Sequence, residues 1–130
     1  MLDFLSVNSA WLEYFADGPN AKYFANVIEN PNELLVPTIT LLEVFKRVSQ
    51  QRDESRALQY IAIMQQSKLV ELSSALALSA AAFGLRYRLP LADSIIYATA
   101  RQANALVWTQ DSGFEGLEGV QFWPKVSNNI

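Results

Sequence analysis

The chain has 130 residues, of which 51% are hydrophobic and 18% are charged, and its formal net charge is −3. This length and composition predict a single globular domain over residues 1–130 with a buried apolar core. Because the counts of His and Cys are both 0, thiolate zinc sites, cysteine nucleophiles and histidine-based catalytic triads are excluded. Only oxygen ligands are left for holding a metal.

The sequence carries no sign of export or membrane insertion. Residues 1–5 contain no basic leader, and the most apolar segment, residues 75–85, is interrupted by Ser79 and Gly84. A membrane span needs about 20 apolar residues. We therefore expect a soluble cytoplasmic protein that makes no membrane contact.

The negative net charge does not favour nucleic acid, so binding RNA or DNA would require a local basic patch. Two groups of basic residues lie close together in sequence. Each group is compatible with such a patch and also with an ordinary solvated helix face. They are Lys46, Arg47, Arg52 and Arg56, and Arg86, Arg88 and Arg101.

In chain order, the first quarter predicts a short strand at residues 4–7 and then a helix capped by Ser9 and ended by Gly18-Pro19. A second short helix over residues 21–28 ends at Asn30-Pro31. The fully apolar residues 34–36 are typical of a buried parallel strand.

The remaining chain alternates helical and strand patterns. Thr38 or Thr40 can cap the next helix, which has an apolar stripe. The stripe consists of Leu41, Val44, Phe45 and Val48. An amphipathic helix over residues 53–66 is expected to bury Leu58, Ile61 and Met64. Later strands are predicted at residues 69–72, 106–108 and 120–123, and helices at residues 74–86 and 91–103.

This alternation predicts an α/β fold with three layers, in which helices flank a central, mainly parallel sheet. Ligands of such sheets bind beyond the carboxyl ends of the strands. Glu43 and Asp111 each follow a predicted strand, and Asp93 lies at the start of a helix. Clustered carboxylates repel one another unless a cation compensates them, so three such acids predict a divalent metal site.

Each acid also has a purely structural explanation. Glu43 lies opposite the apolar stripe of its helix, Asp93 complements a helix dipole, and Asp111 suits a turn before Ser112-Gly113. The sequence around the acids favours the metal-site explanation over the structural one. The segments SAWLEYF (9–15), PTITLLEVFK (37–46), LPLADSIIYATA (89–100) and WTQDSGFEGL (108–117) resemble those of PIN-domain ribonucleases, specifically the VapC-like toxins of toxin–antitoxin pairs.

The resemblance implies an Mg²⁺- or Mn²⁺-dependent endoribonuclease in which Glu43, Asp93 and Asp111 hold the metal and orient the attacking water. It also implies an RNA substrate, a homodimer and a cognate antitoxin that covers the cleft. Four aromatic residues near the N-terminus are either a dimer and partner surface or ordinary core. They are Trp11, Phe15, Tyr23 and Phe24.

Two positions depart from the family pattern. The first acid of the family lies at the end of the first strand, where this sequence places Val7, with Asn8 and Ser9 beside it as weak ligands or as residues behind the ligands. Gly113 stands where many relatives have another acid. Loss of a carboxylate weakens Mg²⁺ binding, so we expect impaired or absent nuclease activity.

Two other functions are compatible with the sequence. One is a catalytically inactive PIN-like module that binds an antitoxin or RNA. The other is a phosphoacceptor domain of the receiver type, which is disfavoured because no Asp ends the early strands.

Overall fold

The structure is a computed structural model that describes residues 3–126. Its centre is a sheet of five parallel strands in the order β3-β2-β1-β4-β5. The strands are β1 (Phe4–Ser6), β2 (Leu34–Pro37), β3 (Lys68–Val70), β4 (Leu106–Thr109) and β5 (Val120–Phe122). Because all strands run the same way, their carboxyl ends share one edge of the sheet.

Six α-helices and two 3-10 turns connect the strands within residues 3–126. The helices are α1 (Asn8–Phe15), α2 (Ala21–Ile28), α3 (Thr38–Gln51), α4 (Glu54–Met64), α5 (Ser74–Tyr87) and α6 (Leu91–Gln102), and the turns are Pro31–Glu33 and Ser112–Phe114. Helices α1 and α2 pack on β1, α3 packs on β2, and α6 packs on β2 and β4, while α4 covers α3 and α5 covers α6. The predicted three-layer α/β/α fold is confirmed.

Burial explains why these elements form where they do. All four residues of β2 are buried, as a central parallel strand requires. Helix α6 is buried from Ser94 to Ala100, so it is the most enclosed helix of the described chain. On α3, Val44 and Val48 are buried and Leu41 and Phe45 pack against the core, which confirms the predicted stripe.

Several local predictions are wrong. Val7 and Pro37, rather than Ser9 and Thr38 or Thr40, precede α1 and α3, and no side chain caps either helix. On α4, Leu58 is 55% exposed, so its predicted burial is wrong, whereas Met64 is buried as predicted and Ile61 packs against the core. Strand β3 ends at Val70, which leaves Leu72 exposed.

The aromatic residues near the N-terminus divide between core and surface. Trp11 and Phe24 are fully buried, so the core explanation is correct for them. Phe15 is partly buried and stacks on Tyr60, and Tyr23 stacks on Trp123. A dimer surface built from all four aromatic side chains is therefore wrong.

The order in which strands join the sheet changes side at β1. Successive strands add on one side from β1 to β3, and β4 then pairs with the other side of β1. A crevice opens at such a switch point, beyond the carboxyl ends of the two strands. Within residues 3–126, no helix is long and apolar enough to cross a membrane.

Candidate functional site

Asp93 lies in the first turn of α6 and is half-buried. The loop before it is fixed by Ser94, whose Oγ donates to the carbonyl oxygens of Pro90 at 2.9 Å and Leu89 at 3.2 Å. These contacts hold the start of α6, and with it the backbone of Asp93, in one position relative to the preceding loop.

Asp111 follows β4 in a turn that is also held by side chains. Its backbone N–H donates to Oγ1 of Thr109 at 2.9 Å, and its Oδ1 accepts from the backbone N–H of Gly113 at 2.9 Å. A Cβ atom at Gly113 would lie 3.3 Å from Oδ1 of Asp111 and 3.9 Å from Oδ2 of Asp93. The carboxylates of Asp93 and Asp111 therefore flank the same glycine.

Glu43 lies in the second turn of α3 and is half-buried. Its Oε1 atom is shielded from solvent and has no hydrogen-bond partner among residues 3–126. A buried carboxylate oxygen without a donor is unfavourable unless a cation or another donor binds it. This atom therefore suits an oxygen ligand of a metal.

The three acids act on one another electrostatically. Burial raises the pKa of Asp93 to about 6, helped by the negative charges of Asp111 and Glu43 and by a hydrogen bond shared with Asp111. Burial also raises the pKa of Glu43, with a further contribution from Asp111. These shifts identify carboxylates that are destabilised when ionised, which is the condition a divalent cation relieves.

The structure brings Asp93 and Asp111 together and leaves Glu43 as a nearby third charge. Within residues 3–126, no three Asp, Glu, His or Cys side chains converge closely enough to hold one metal ion. The donor type still fits Mg²⁺ or Mn²⁺, because all three groups offer carboxylate oxygens and one of those oxygens is buried without a partner. The assignment of Glu43, Asp93 and Asp111 as metal ligands stays a prediction.

The residues near the expected first acid are arranged differently from the sequence-based prediction. Strand β1 ends at Ser6, one residue earlier than expected. Val7 is fully buried within the main hydrophobic core, and its carbonyl oxygen accepts from Ala10 and Trp11 at the start of α1. The residue at the end of the first strand is therefore Ser6, whose buried Oγ has no partner among residues 3–126.

Asn8 and Ser9 form the beginning of α1 and line a cleft of about 700 Å³ between α1 and α3. Glu43 lines the same cleft, so these three residues share one space, whereas Asp93 and Asp111 are not part of its wall. The Oγ of Ser9 is buried without a partner in the described chain. Asn8 and Ser9 are thus close to one of the acids, and their weak-ligand role stays a prediction.

Three residues that the sequence did not single out belong to this region. Gln110 and Lys125 line the cleft, and Asn20 connects them to the rest of the fold. The buried Asn20 Nδ2 donates to Gln110 Oε1 at 3.0 Å and to the carbonyl oxygen of Pro124 at 2.9 Å. No local sequence signal could have identified these contacts, because they join segments far apart in the chain.

Comparison with known proteins identifies the fold. A family model described as "PIN domain" matches residues 8–120. A search of curated proteins gives no match.

Among solved structures, a toxin–antitoxin complex from Klebsiella pneumoniae has a chain that is 23% identical, with a TM-score of 0.76 over 92% of this chain and 96% of that one. The DNA-bound VapBC of Salmonella typhimurium gives 15% identity and a TM-score of 0.73 over 95% and 98%. VapC20 of Mycobacterium tuberculosis, a sarcin–ricin loop cleaving toxin, is 14% identical, with a TM-score of 0.74 over 91% of this chain and 97% of that one.

Proposed function

Because the chain belongs to the PIN domain family, we propose that it is a divalent-metal-dependent endoribonuclease of the VapC-like toxin class, with activity reduced by the missing first acid. The observation that carries this proposal is the approach of the Asp93 and Asp111 carboxylates to the same glycine beyond the strand ends, with the unpartnered Oε1 of Glu43 as a third acid nearby. Solved structures of the same fold include toxins of toxin–antitoxin pairs.

Asp93 and Asp111 would hold the cation, with Glu43 as a third carboxylate. Bound Mg²⁺ or Mn²⁺ supplies polarisation of a phosphodiester and acidification of water. The protein contributes the hydrogen-bonded turn that holds Asp111, the first turn of α6 that carries Asp93 next to the buried Ser94, and the buried oxygen of Glu43. Asp93 changes its protonation near pH 6 when no cation is present, so metal binding competes with protons there.

The resemblance places the missing acid at Val7. Because the Val7 side chain lies in the hydrophobic core, we propose Ser6 as the position of that acid instead, since it ends β1 and its buried Oγ has no partner among residues 3–126. A serine hydroxyl carries no charge, so the site has one negative charge fewer than a four-acid site. Mg²⁺ affinity depends on carboxylate charge and near-octahedral geometry. The proposed activity is therefore weak, and stronger with Mn²⁺ or a restored acid.

The proposal includes two protein partners and a location. The antitoxin partner is supported by the structural similarity to chains of VapBC complexes. A homodimer is supported by exposed leucines around α5, namely Leu78, Leu85 and Leu91, which are 75%, 85% and 80% exposed. A toxin of this kind would act in the cytoplasm, where its RNA targets lie.

One observation favours the alternative of a catalytically inactive module that binds an antitoxin or RNA. Within residues 3–126 the three acids do not converge into a three-ligand site, and neither Ser6 nor Val7 can supply another carboxylate. In that case the fold would keep its binding surfaces without chemistry.

The experiment that separates these functions is RNA cleavage in Mn²⁺ by the unmodified protein and by Asp93→Asn. Cleavage that disappears in the variant and on addition of EDTA supports the nuclease. Retained RNA or antitoxin binding with no cleavage by either protein supports the inactive module.

A further inference from the structure

The cleft between α1 and α3 carries three basic side chains, Lys46, Arg47 and Lys125, in addition to Glu43. We propose that this cleft binds the phosphate backbone of a single RNA strand through these three cations and leads the strand past Glu43 towards Asp93 and Asp111. The inference rests on the proposed function, since it assigns a substrate path to the same site.

Helix α3 provides the basic wall of the cleft. Glu43, Lys46, Arg47 and Gln50 are spaced three, four and seven residues apart, which places them on one face of the helix. The rise of 1.5 Å per residue puts the two cations about one turn beyond Glu43, and the lining of α3 from Leu42 to Gln51 extends over about 14 Å. A strand lying along this face would meet positive charge and then the first of the acids.

Lys125 is brought to the cleft by a buried hydrogen-bond network. Asn20 is 3% exposed, and its amide holds the carbonyl oxygen of Pro124 at 2.9 Å, directly before Lys125. The same amide donates to Gln110 at 3.0 Å, and the backbone N–H of Asn20 donates to Glu13 Oε2 at 2.8 Å. The backbone position of Lys125 is thus set by hydrogen bonds within the fold.

The charge of the cleft differs from that of the whole chain. The net charge is −3, whereas the cleft carries three cations against the carboxylates of Glu13 and Glu43. The ion pairs within residues 3–126 are Lys68–Asp3 and Arg101–Glu118, so none involves the cleft cations. The three cations are exposed and have no acidic partner within residues 3–126, so they are available to bind phosphates.

The side chains between the cations favour RNA over an acidic protein segment. Four amides line the cleft, namely Asn8, Gln50, Gln51 and Gln110, and amides can both donate to and accept from base edges and 2′-hydroxyls. The apolar part of the lining is small, consisting of Leu12, Leu42 and Ala16. A helix or strand of a protein partner would need a larger apolar contact to bind there.

The test measures binding of a short fluorescein-labelled oligouridylate in EDTA, where no cleavage occurs, over a series of salt concentrations. The cleft variant is Lys46→Ala/Arg47→Ala/Lys125→Ala. The charge-matched control is Lys22→Ala/Arg52→Ala/Arg56→Ala, which removes three exposed cations outside the cleft. Circular dichroism checks that both variants are folded.

We expect the cleft variant to bind the oligouridylate at least about tenfold more weakly than the unmodified protein. The slope of log K against log salt should fall in magnitude by about 2, because each of the three lost phosphate contacts contributes roughly 0.7. The control should keep both values. Equal losses in the two variants, no loss in either, or no RNA binding by the unmodified protein would overturn the inference. So would binding of polyglutamate, in place of RNA, with the same dependence on the three cations.

The two proposals fail separately. If the cleft variant alone loses RNA binding but the unmodified protein cuts no RNA in Mn²⁺, the cleft assignment stands and the nuclease is rejected. If the protein cuts RNA in an Asp93-dependent way and the cleft variant binds and cuts normally, the nuclease stands and the cleft assignment is rejected.

Discussion

Asp93 and Asp111 approach Gly113 from two different elements, one from the start of α6 and one from the turn after β4. Their proximity raises the pKa of Asp93, which burial already raises, to about 6. The pair is therefore unfavourable when both carboxylates are ionised. Hydrogen bonds hold the Asp111 turn and the loop before Asp93 in place. Electrostatic repulsion between carboxylates in a crevice at the strand ends is typical of a site that binds a cation.

The first prediction concerns the stability of the metal-free protein. Asp93→Asn should increase the free energy of unfolding at about pH 7.5 by on the order of 1 kcal/mol, after allowance for solvent screening of this half-exposed group. The variant removes a carboxylate that is disfavoured next to Asp111 and Glu43. Urea unfolding in EDTA, followed by tryptophan fluorescence, measures the effect.

The sign of the pH dependence follows from the direction of the shift. The pKa of Asp93 is higher in the folded protein than its ordinary value of 3.8. Its stabilising contribution is thus complete below about 3.8 and is lost as the pH rises through about 6. The advantage of Asp93→Asn should shrink towards pH 4. The control is Asp17→Asn, an exposed acid at φ 53 that Asn also tolerates, and an advantage of Asp93→Asn that does not depend on pH would contradict the account.

The second prediction concerns metal binding without catalysis. A Mn²⁺ concentration about tenfold above Kd should stabilise the protein by about 1.4 kcal/mol and raise Tm by about 5 °C. Asp93→Asn should abolish the increase, and Glu43→Gln should reduce it. Thermal unfolding with and without Mn²⁺ tests this, with Asp17→Asn as the matched control. An equal increase in Asp93→Asn and the unmodified protein would place the metal elsewhere.

The third prediction distinguishes Ser6 from Val7 as the position of the missing acid. Ser6→Asp should tighten Mn²⁺ binding about tenfold or more, because it adds a carboxylate at the carboxyl end of the central strand. Both positions are fully buried, so each new carboxylate is unfavourable in EDTA. Val7→Asp should destabilise the protein by about 3 kcal/mol without improving Mn²⁺ binding, because Val7 lies in the hydrophobic core, whereas Mn²⁺ should restore the stability of Ser6→Asp. Isothermal titration calorimetry and urea unfolding measure the two effects.

The control for this comparison is Ser6→Asn, which has the shape of Asp without its charge. Tighter Mn²⁺ binding by Val7→Asp, together with no change in Ser6→Asp, would show that the missing acid belongs at Val7.

The overall fold could be predicted from the sequence because its signals are local, and the same segments pointed to Asp93 and Asp111, whose role as metal ligands stays a prediction that rests on the family resemblance. An apolar run followed by Asp111 and a Ser-Gly turn, and a proline followed by the helix that carries Asp93, each fit within one short segment. The parallel sheet followed from the alternation of strands and helices. None of these predictions required knowledge of which segments touch.

The remaining features depend on contacts between distant segments. Strand β1 ends at Ser6, which pairs with Trp108 of β4, and the sequence alone does not specify this register. Thr40 is a plausible cap in sequence, but α3 begins at Thr38, and Thr40 lies fully buried within its first turn. The placing of Lys125 at the cleft depends on Asn20, from the opposite end of the chain.

The fourth prediction concerns self-association. Leu78 and Leu85 lie seven residues apart on one face of α5, and both are exposed. The unmodified protein should sediment as a dimer at micromolar concentration, and Leu85→Glu should sediment as a monomer. Leu58→Glu, which changes an exposed leucine on α4, should remain dimeric. A monomeric unmodified protein, or a dimer unaffected by Leu85→Glu, would reject this surface.

The most direct test of the central claim is the initial rate of RNA cleavage in Mn²⁺ by the unmodified protein and by Ser6→Asp, each with and without Asp93→Asn. If the site is a metal-dependent nuclease that lacks one acid, Ser6→Asp should cut at least about tenfold faster than the unmodified protein. Asp93→Asn should then abolish cleavage in both backgrounds. Cleavage that persists in Asp93→Asn, or the absence of cleavage in all four proteins, would contradict the account.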